Sequence, residues 1–204
     1  MKQPIAVLDY GSGNLHSVSR AIAHVGGTAS VTNEPSDVVD AAALVIPGVG
    51  HFGACMRRLR DAGLDRSIKD FVATGRPVFG VCVGMQILFD GSEEDDAAGL
   101  GVLAGTCRRL PGSVKVPHMG WNTVDWTGPA HPYVAGLKDG AFFYFVHSYA
   151  PLPNDDSIGL ASHGRSFTAV AARENVFATQ FHPEKSGDAG LHLYGRFVEA
   201  VRAQ

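Results

Sequence analysis

The segment Gly80-Val81-Cys82-Val83-Gly84 sets a cysteine between two glycines, directly after the apolar run Pro77-Val78-Phe79. This is the cysteine counterpart of the G-x-S-x-G turn, which lifts a nucleophile from a strand end onto the start of a helix. A sharp turn of that kind strains the backbone, and bulky side chains two positions either side would clash. The helix beginning there would aim free N–H groups and a positive dipole end at the sulfur, lowering its thiol pKa. The N–H of Val83 would then be placed to stabilise an oxyanion. The competing reading of a buried cysteine is a small core residue. That reading is kept for Cys55, on a helical apolar stripe, and for Cys107, which has no such turn around it.

A cysteine nucleophile needs a base, and the base needs a third group to hold its ring. Of nine histidines, none shows the H-E-x-x-H spacing of a metal site, and no residue pattern calls for a metal or other cofactor. His182 stands apart. It follows the strand-like run Val176-Phe177-Ala178-Thr179-Gln180-Phe181 and precedes Pro183 and Glu184. Proline fixes the local backbone, and in an extended turn a His/Glu pair at i, i+2 can hold a carboxylate against the imidazole. Such a pair alone is usually a solvated turn; it gains weight from the cysteine turn.

These residues need a scaffold, and the apolar spacing supplies one. Ile5–Leu8, Ala43–Ile46 and Pro77–Val81 read as strands. Leu15, Val18, Ile22 and Val25 recur at three and four, as do Phe52, Cys55, Met56 and Leu59, and then Leu64, Ile68, Phe71 and Val72; each set predicts an amphipathic helix. Met85, Leu88 and Phe89 mark a further short helix. Alternation of this kind implies parallel strands joined by crossover helices, an open doubly wound sheet. The second half predicts strands at 121–126, 141–146, 169–172 and 176–180 with little helix between them, then a last helix over 191–201. The expectation is one α/β domain over residues 1–204, mostly parallel with helices on both faces and an antiparallel portion in the second half.

Composition narrows the function classes. Hydrophobic residues make up 45% and charged residues 18% of the 204, with a net charge of −3. That is a globular mix with no basic surplus for nucleic acid or a membrane surface. No apolar run reaches the roughly 20 residues a membrane helix needs. The start, Met1-Lys2-Gln3-Pro4, lacks signal-peptide anatomy. Three unpaired cysteines fit a reducing cytoplasm better than a disulfide scaffold.

Taken together, Gly80 to Gln86 and Phe181-His182-Pro183-Glu184 resemble the class I, triad-type glutamine amidotransferases. Five segments narrow the resemblance: Asp9-Tyr10-Gly11-Ser12-Gly13-Asn14-Leu15, Pro47-Gly48-Val49-Gly50, Val116-Pro117-His118-Met119-Gly120-Trp121-Asn122, Phe143-Tyr144-Phe145-Val146-His147-Ser148-Tyr149 and His182-Pro183-Glu184-Lys185-Ser186. In order and spacing they resemble the glutaminase subunits of imidazole glycerol phosphate synthase, over nearly the whole chain. The resemblance implies a flavodoxin-like amidotransferase fold, glutamine as substrate, and a (β/α)8-barrel cyclase partner forming a heterodimer. It implies that Cys82 attacks the glutamine amide, His182 moves the proton and Glu184 orients His182. Val83, with Val49 and Gly50, would form the oxyanion hole, the loop donor arriving by a backbone rearrangement. Gln86 and the backbone around His147, Ser148 and Tyr149 would hold the substrate. Asn14, Trp121, Asn122, Tyr144 and Lys185 would face the partner, with Phe145 left in the core.

Alternatives stay open on sequence alone. Gln86 also reads as an ordinary helix residue, Lys185 as a solvated lysine, and Gly11 and Gly13 as half of a dinucleotide fingerprint whose third glycine is replaced by His16. The chain could serve another class I amidotransferase, or be a catalytically silent regulatory subunit. His51, Val81, Val83 and Gly187 depart from the residues usual in the family.

Overall fold

The structure is a computed structural model and describes residues 4–128 and 130–204. Its first half follows the apolar runs. β1 (Ile5–Leu8), β2 (Ala29–Thr32), β3 (Ala43–Gly48) and β4 (Val78–Cys82) alternate with α1 (Leu15–His24), α2 (Pro35–Asp40), α3 (Phe52–Asp61) and α4 (Leu64–Ala73). A one-turn α5 (Val83–Gln86) follows β4. Every residue of β1, β3 and β4 is buried, as strands covered on both faces require. The edge strand β2 is mostly open to solvent, and so its sequence, Ala-Ser-Val-Thr, carries no apolar run.

The second half contributes β5 (Gly91–Ser92), β6 (Asp95–Ala98), β7 (Thr106–Arg109), β8 (His118–Trp126), β9 (Ala141–His147), β10 (Tyr149–Pro151), β11 (Ser157–Ser162), β12 (Ser166–Arg173) and β13 (Val176–Thr179). A 3-10 turn (Pro183–Lys185) and α6 (Gly187–Arg202) close the chain. The large sheet has the order β2-β1-β3-β4-β13-β12-β11-β8-β9. It is parallel from β2 to β13 and antiparallel from β12 outward. A small second sheet runs β10-β7-β5-β6.

The helices fall into two groups by contact, α1 with α6, and α2 and α3 with α4. Aromatic packing fixes α6 to the centre of the sheet. The Phe79 ring on β4 lies 5.1 Å from Phe177 of β13, and 5.3 and 5.5 Å from Tyr194 and Phe197 of α6. The observed elements extend several expected ones. β8 begins at His118 rather than Trp121, and α6 at Gly187 rather than Leu191. The helix after Cys82 is a single turn over 83–86, earlier and shorter than the apolar residues 85–89 suggest. Neither α2 nor β2, β5, β6, β7, β10 and β11 figured among the expected elements.

Candidate active site

Cys82 is the last residue of β4 and takes φ +57° and ψ −114°. A positive φ on a side-chain-bearing residue is uncommon and strained, and such strain gathers at functional sites. The flanking glycines are required by space. A Cβ on Gly84 would sit 1.8 Å from the Ile46 carbonyl oxygen, and one on Gly80 2.8 Å from the Leu88 side chain and 2.9 Å from the Gly84 carbonyl. The turn is therefore pressed against the end of β3, where Gly48 stands opposite Cys82 in register. Because α5 is one turn long, its electrostatic aid to the sulfur is limited to the N–H groups of that turn.

β13 runs parallel to β4, so the residues after it emerge beside the cysteine. His182 is pinned there by its backbone. Its N–H donates to the Tyr144 carbonyl at 2.9 Å, and its own carbonyl accepts the Ser186 hydroxyl at 2.7 Å. The imidazole Nδ1 lies 2.8 Å from Glu184 Oε1, with both side chains out of solvent. A carboxylate only accepts, so Nδ1 carries the proton and Nε2 is left for the cleft. That Nε2 is buried and has no hydrogen-bond partner among the described residues. Burial opposes charge on the ring, but the negative charge of Cys82 as thiolate and that of Glu184 outweigh it and raise the His182 pKa to about 10.

Cys82 and His182 open on a cleft of about 250 Å³ that also takes in Val49, Gly50, Val83, Gln86, His147, Ser148 and Tyr149. Every residue expected in the catalytic, oxyanion and substrate groups except Glu184 lines it, and Glu184 stands behind His182. Gln86 is buried, and both hydrogens of its amide are committed, to the Tyr149 carbonyl at 2.8 Å and to Gln180 Oε1 at 3.0 Å. What it can still offer a ligand is its carbonyl oxygen. In the loop after β3, Val49 is tied at both ends to one side chain: its N–H donates to Ser12 Oγ at 3.0 Å, and its carbonyl accepts the Ser12 hydroxyl at 2.6 Å. The Val49 N–H is therefore occupied by Ser12.

The cleft also contains Glu94, Pro117 and Val146, none of which was expected as a site residue, although Pro117 and Val146 stand within the segments that carry the resemblance. Glu94 lies in the run Glu93-Glu94-Asp95-Asp96, where nothing in the sequence separates one acid from its neighbours. Gln180, fully buried, donates weakly to Cys82 Sγ at 3.9 Å. Its position two residues before His182 was the available signal. Cys55 and Cys107 are buried free thiols, both pushed upward in pKa by burial. No group of three or more metal-type side chains occurs among the described residues. A larger hollow of about 410 Å³ lies at the other end of the sheet, where β1 begins, away from these groups.

The residues expected at a partner face divide. Trp121 is 56% exposed and packs edge-on to Tyr144 across the β8–β9 pair, with ring centroids 6.2 Å apart. Lys185 is exposed, and its ammonium lies 5.9 Å from the centre of the Tyr144 ring. Met119 and Phe142, 62% and 59% exposed, widen this apolar surface. Asn14 sits half-buried at the start of α1. Asn122 turns to the other face of β8, where its amide donates to the Ser162 carbonyl at 2.9 Å. The period of two along a strand separates it from Trp121. Of the unusual positions, Gly187 takes φ +58°, which suits glycine. Val81 and Val83 are buried, and His51 is exposed, 3.7 Å from Asp95.

The α/β fold, with a cysteine on a strained strand-to-helix turn beside a buried His-Glu pair, fits the family described as Glutamine amidotransferase class-I, which matches residues 6–200; the chain belongs to that family. Its fold is similar to the structure of PurLQS from Thermotoga maritima, with a TM-score of 0.76 at 19% identity over 98% of this chain and 99% of that one. Closer in sequence are proteins named imidazole glycerol phosphate synthase subunit HisH. Those of Microcystis aeruginosa and Acinetobacter baylyi are each 45% identical, over 97% and 96% of this chain and 96% and 97% of theirs.

Proposed function

We propose that the chain is a single-domain glutaminase subunit of imidazole glycerol phosphate synthase, acting in histidine biosynthesis. Cys82 attacks the side-chain amide carbon of glutamine. His182, as imidazolium, gives its proton to the departing nitrogen, and ammonia leaves a thioester on Cys82. Water, deprotonated by the now neutral His182, cleaves the thioester to glutamate and returns the thiolate. Glu184 holds the Nδ1–H tautomer throughout, which keeps Nε2 toward the reacting atoms. The negative oxygen of each tetrahedral intermediate is met by the Val83 N–H and by a donor from the Val49–Gly50 segment. The Gln86 carbonyl and the Glu94 carboxylate are suited to the hydrogen-bond donors of the amino acid. Ammonia passes to a (β/α)8-barrel cyclase, which makes imidazole glycerol phosphate and aminoimidazole carboxamide ribotide. The apolar surface of Met119, Trp121 and Phe142 beside Lys185 suits that partner, and three free thiols suit a cytoplasmic protein.

The observation that carries the reading is the buried His182–Glu184 pair opposite a cysteine in left-handed backbone. A thiol-reactive glutamine analogue should label Cys82 alone, and glutamate release should require the cyclase subunit for full speed. Labelling of Cys55 or Cys107 instead, or glutamate release that survives Cys82→Ala, refutes it.

A further inference from the structure

Beside the nucleophile lies a buried line of hydrogen bonds whose two histidine rings have no step in the proposed glutamine chemistry. His118, the first residue of β8, and His147, the last of β9, are direct cross-strand partners, 5% and 6% exposed. His118 Nδ1 and His147 Nε2 are 3.0 Å apart. The far end of each ring fixes its tautomer independently. His147 Nδ1 lies 3.0 Å from the Tyr149 carbonyl, which only accepts, so Nδ1 carries the hydrogen. Asn122 Oδ1 accepts the Thr123 N–H at 2.8 Å and its Nδ2 donates to the Ser162 carbonyl, which fixes the amide. Its second hydrogen points to His118 Nε2 at 3.3 Å, so that nitrogen accepts. The two assignments agree: His118 Nδ1–H donates to His147 Nε2, and each ring is neutral. The Tyr149 carbonyl at the end also receives Gln86, which bonds Gln180, which in turn reaches Cys82 Sγ.

We propose that His118 and His147 form a one-way hydrogen-bond relay of neutral rings that holds the Tyr149 carbonyl and, through Gln86 and Gln180, sets the position of the Cys82 sulfur. Both histidines are positioning residues, since their rings reach the sulfur only through the Tyr149 carbonyl, Gln86 and Gln180. An added proton on either ring would aim two N–H groups at each other. In keeping with this, burial, with the neighbouring rings adding to it, holds His118 at about 4 and His147 at about 3. The titratable groups near them are His163, whose ring stacks 4.2 Å from His118, His182, and, in the cleft that His147 lines, Cys82, Glu94 and Tyr149.

The kinetic arm of the test rests on the glutaminase reading, and the spectroscopic arm does not. His118 also stacks on Phe145, with centroids 5.0 Å apart, so its ring has a packing role to be separated from its bonding role. His118→Phe keeps the stack and loses the donor. His118→Asn loses the stack and keeps an N–H near the place of Nδ1. In the full complex with the cyclase subunit, H118F should lose about tenfold or more in kcat/KM for glutamate release, mostly in kcat, while H118N stays within about threefold of the parent. The reverse order, or an H118F that works at the parent rate, overturns the relay. Nitrogen-15 NMR of the unmutated chain should show both rings neutral with the proton on Nδ1 from about pH 5.5 to 8. A ring protonated on Nε2, or one titrating near 6.5, overturns it as well, and decides the matter if neither variant folds. A parent complex that releases no glutamate would sink the glutaminase reading and leave the NMR result standing.

Discussion

Ser12→Ala should switch on a glutaminase that is otherwise held back. The Ser12 hydroxyl makes two hydrogen bonds to Val49, accepting its N–H at 3.0 Å and donating to its carbonyl at 2.6 Å. If this loop supplies an oxyanion donor, as proposed, the peptide plane that turns to present it must first break its own bond to Ser12. Gly48 and Gly50 flank Val49, and Gly50 already sits at φ +92°, where glycine moves at small steric cost. A neutral hydrogen bond contributes about 0.5–1.5 kcal/mol net, so the bond in the turning plane holds the loop by about that much. Cys55 Sγ, 3.6 Å from the Val49 carbonyl, remains as a weak partner in the variant. At about 1.4 kcal/mol per factor of ten, removing the Ser12 bond raises the released fraction about 2- to 12-fold. One oxyanion donor is worth about 100- to 1,000-fold in rate, so the gain recovers a part of what a missing donor costs. The assay is glutamate release by the chain without its partner, then with the cyclase and its ligand. S12A should raise the unpartnered rate and leave the stimulated rate nearly unchanged, so the stimulation ratio shrinks. A folded S12A whose unpartnered rate equals the parent's refutes the argument that Ser12 holds this loop.

Cys82→Ala should abolish glutamate formation while cyclisation from added ammonia survives, whereas Cys55→Ala and Cys107→Ala, if folded, should keep the chemistry; steady-state assays of the complex decide. Glu184→Gln removes the lesser in effect of the two negative charges that raise the His182 pKa, so that pKa should fall below the parent's value of about 10 while the contribution of Cys82 remains, with about a hundredfold loss in kcat, read by NMR titration and the pH–rate profile. Because the folded pKa is raised, the stability due to charged His182 is fully present below about 6.5 and is lost as pH rises through about 10. Denaturant midpoints measured from pH 7 to 10 should therefore fall more for the parent than for Cys82→Ala, which lacks the thiolate partner; equal slopes count against the ion pair. Lys185→Ala should weaken stimulation by the cyclase ligand while glutamine KM stays nearly constant, and an unchanged stimulation ratio would show Lys185 to be a solvated lysine.

The parts of the fold written as buried apolar runs were legible in advance, because a strand covered on both faces cannot be polar. β1, β3 and β4 are of that kind, and the amphipathic α1, α3 and α4 show their inner stripe at helical spacing. β2 was missed because an edge strand is under no such demand. β5, β6 and β10 were missed because strands of two to four residues leave no period to read. α2 did carry a start signal, Pro35 at its first position, but at six residues it shows too little periodicity to stand out. At the site, Cys82 and His182 were legible because their constraints are local: two glycines around one, and a proline and an acid beside the other. Glu94 and Ser12 reach Phe52 and Val49, 42 and 37 residues away in the chain, and no local pattern records such pairings.

The hybrid sheet gives the site two supports of different kinds. The parallel half makes the nucleophile: β4 and β13 lie side by side, both end at the cleft, and the sulfur and its base come from adjacent strand ends. The antiparallel half does not carry His182 or Cys82, yet it reaches them at two points: the Tyr144 carbonyl on β9 holds the His182 backbone, and the Val146 carbonyl lies 3.8 Å from Cys82 Sγ. From the small second sheet, Tyr149 on β10 bonds Gln86. The outer face of β8 and β9 carries Met119, Trp121 and Phe142, while the inner face carries His118, Phe143, Phe145 and His147. A pleated strand cannot shift on one face and stay still on the other, because successive side chains share one backbone. Any displacement of this pair of strands must therefore move the carbonyls of Tyr144 and Val146 that lie against His182 and Cys82. The stiffness of β8 and β9 is thereby a variable of the chemistry, and substitutions on their outer face that preserve binding should still alter kcat.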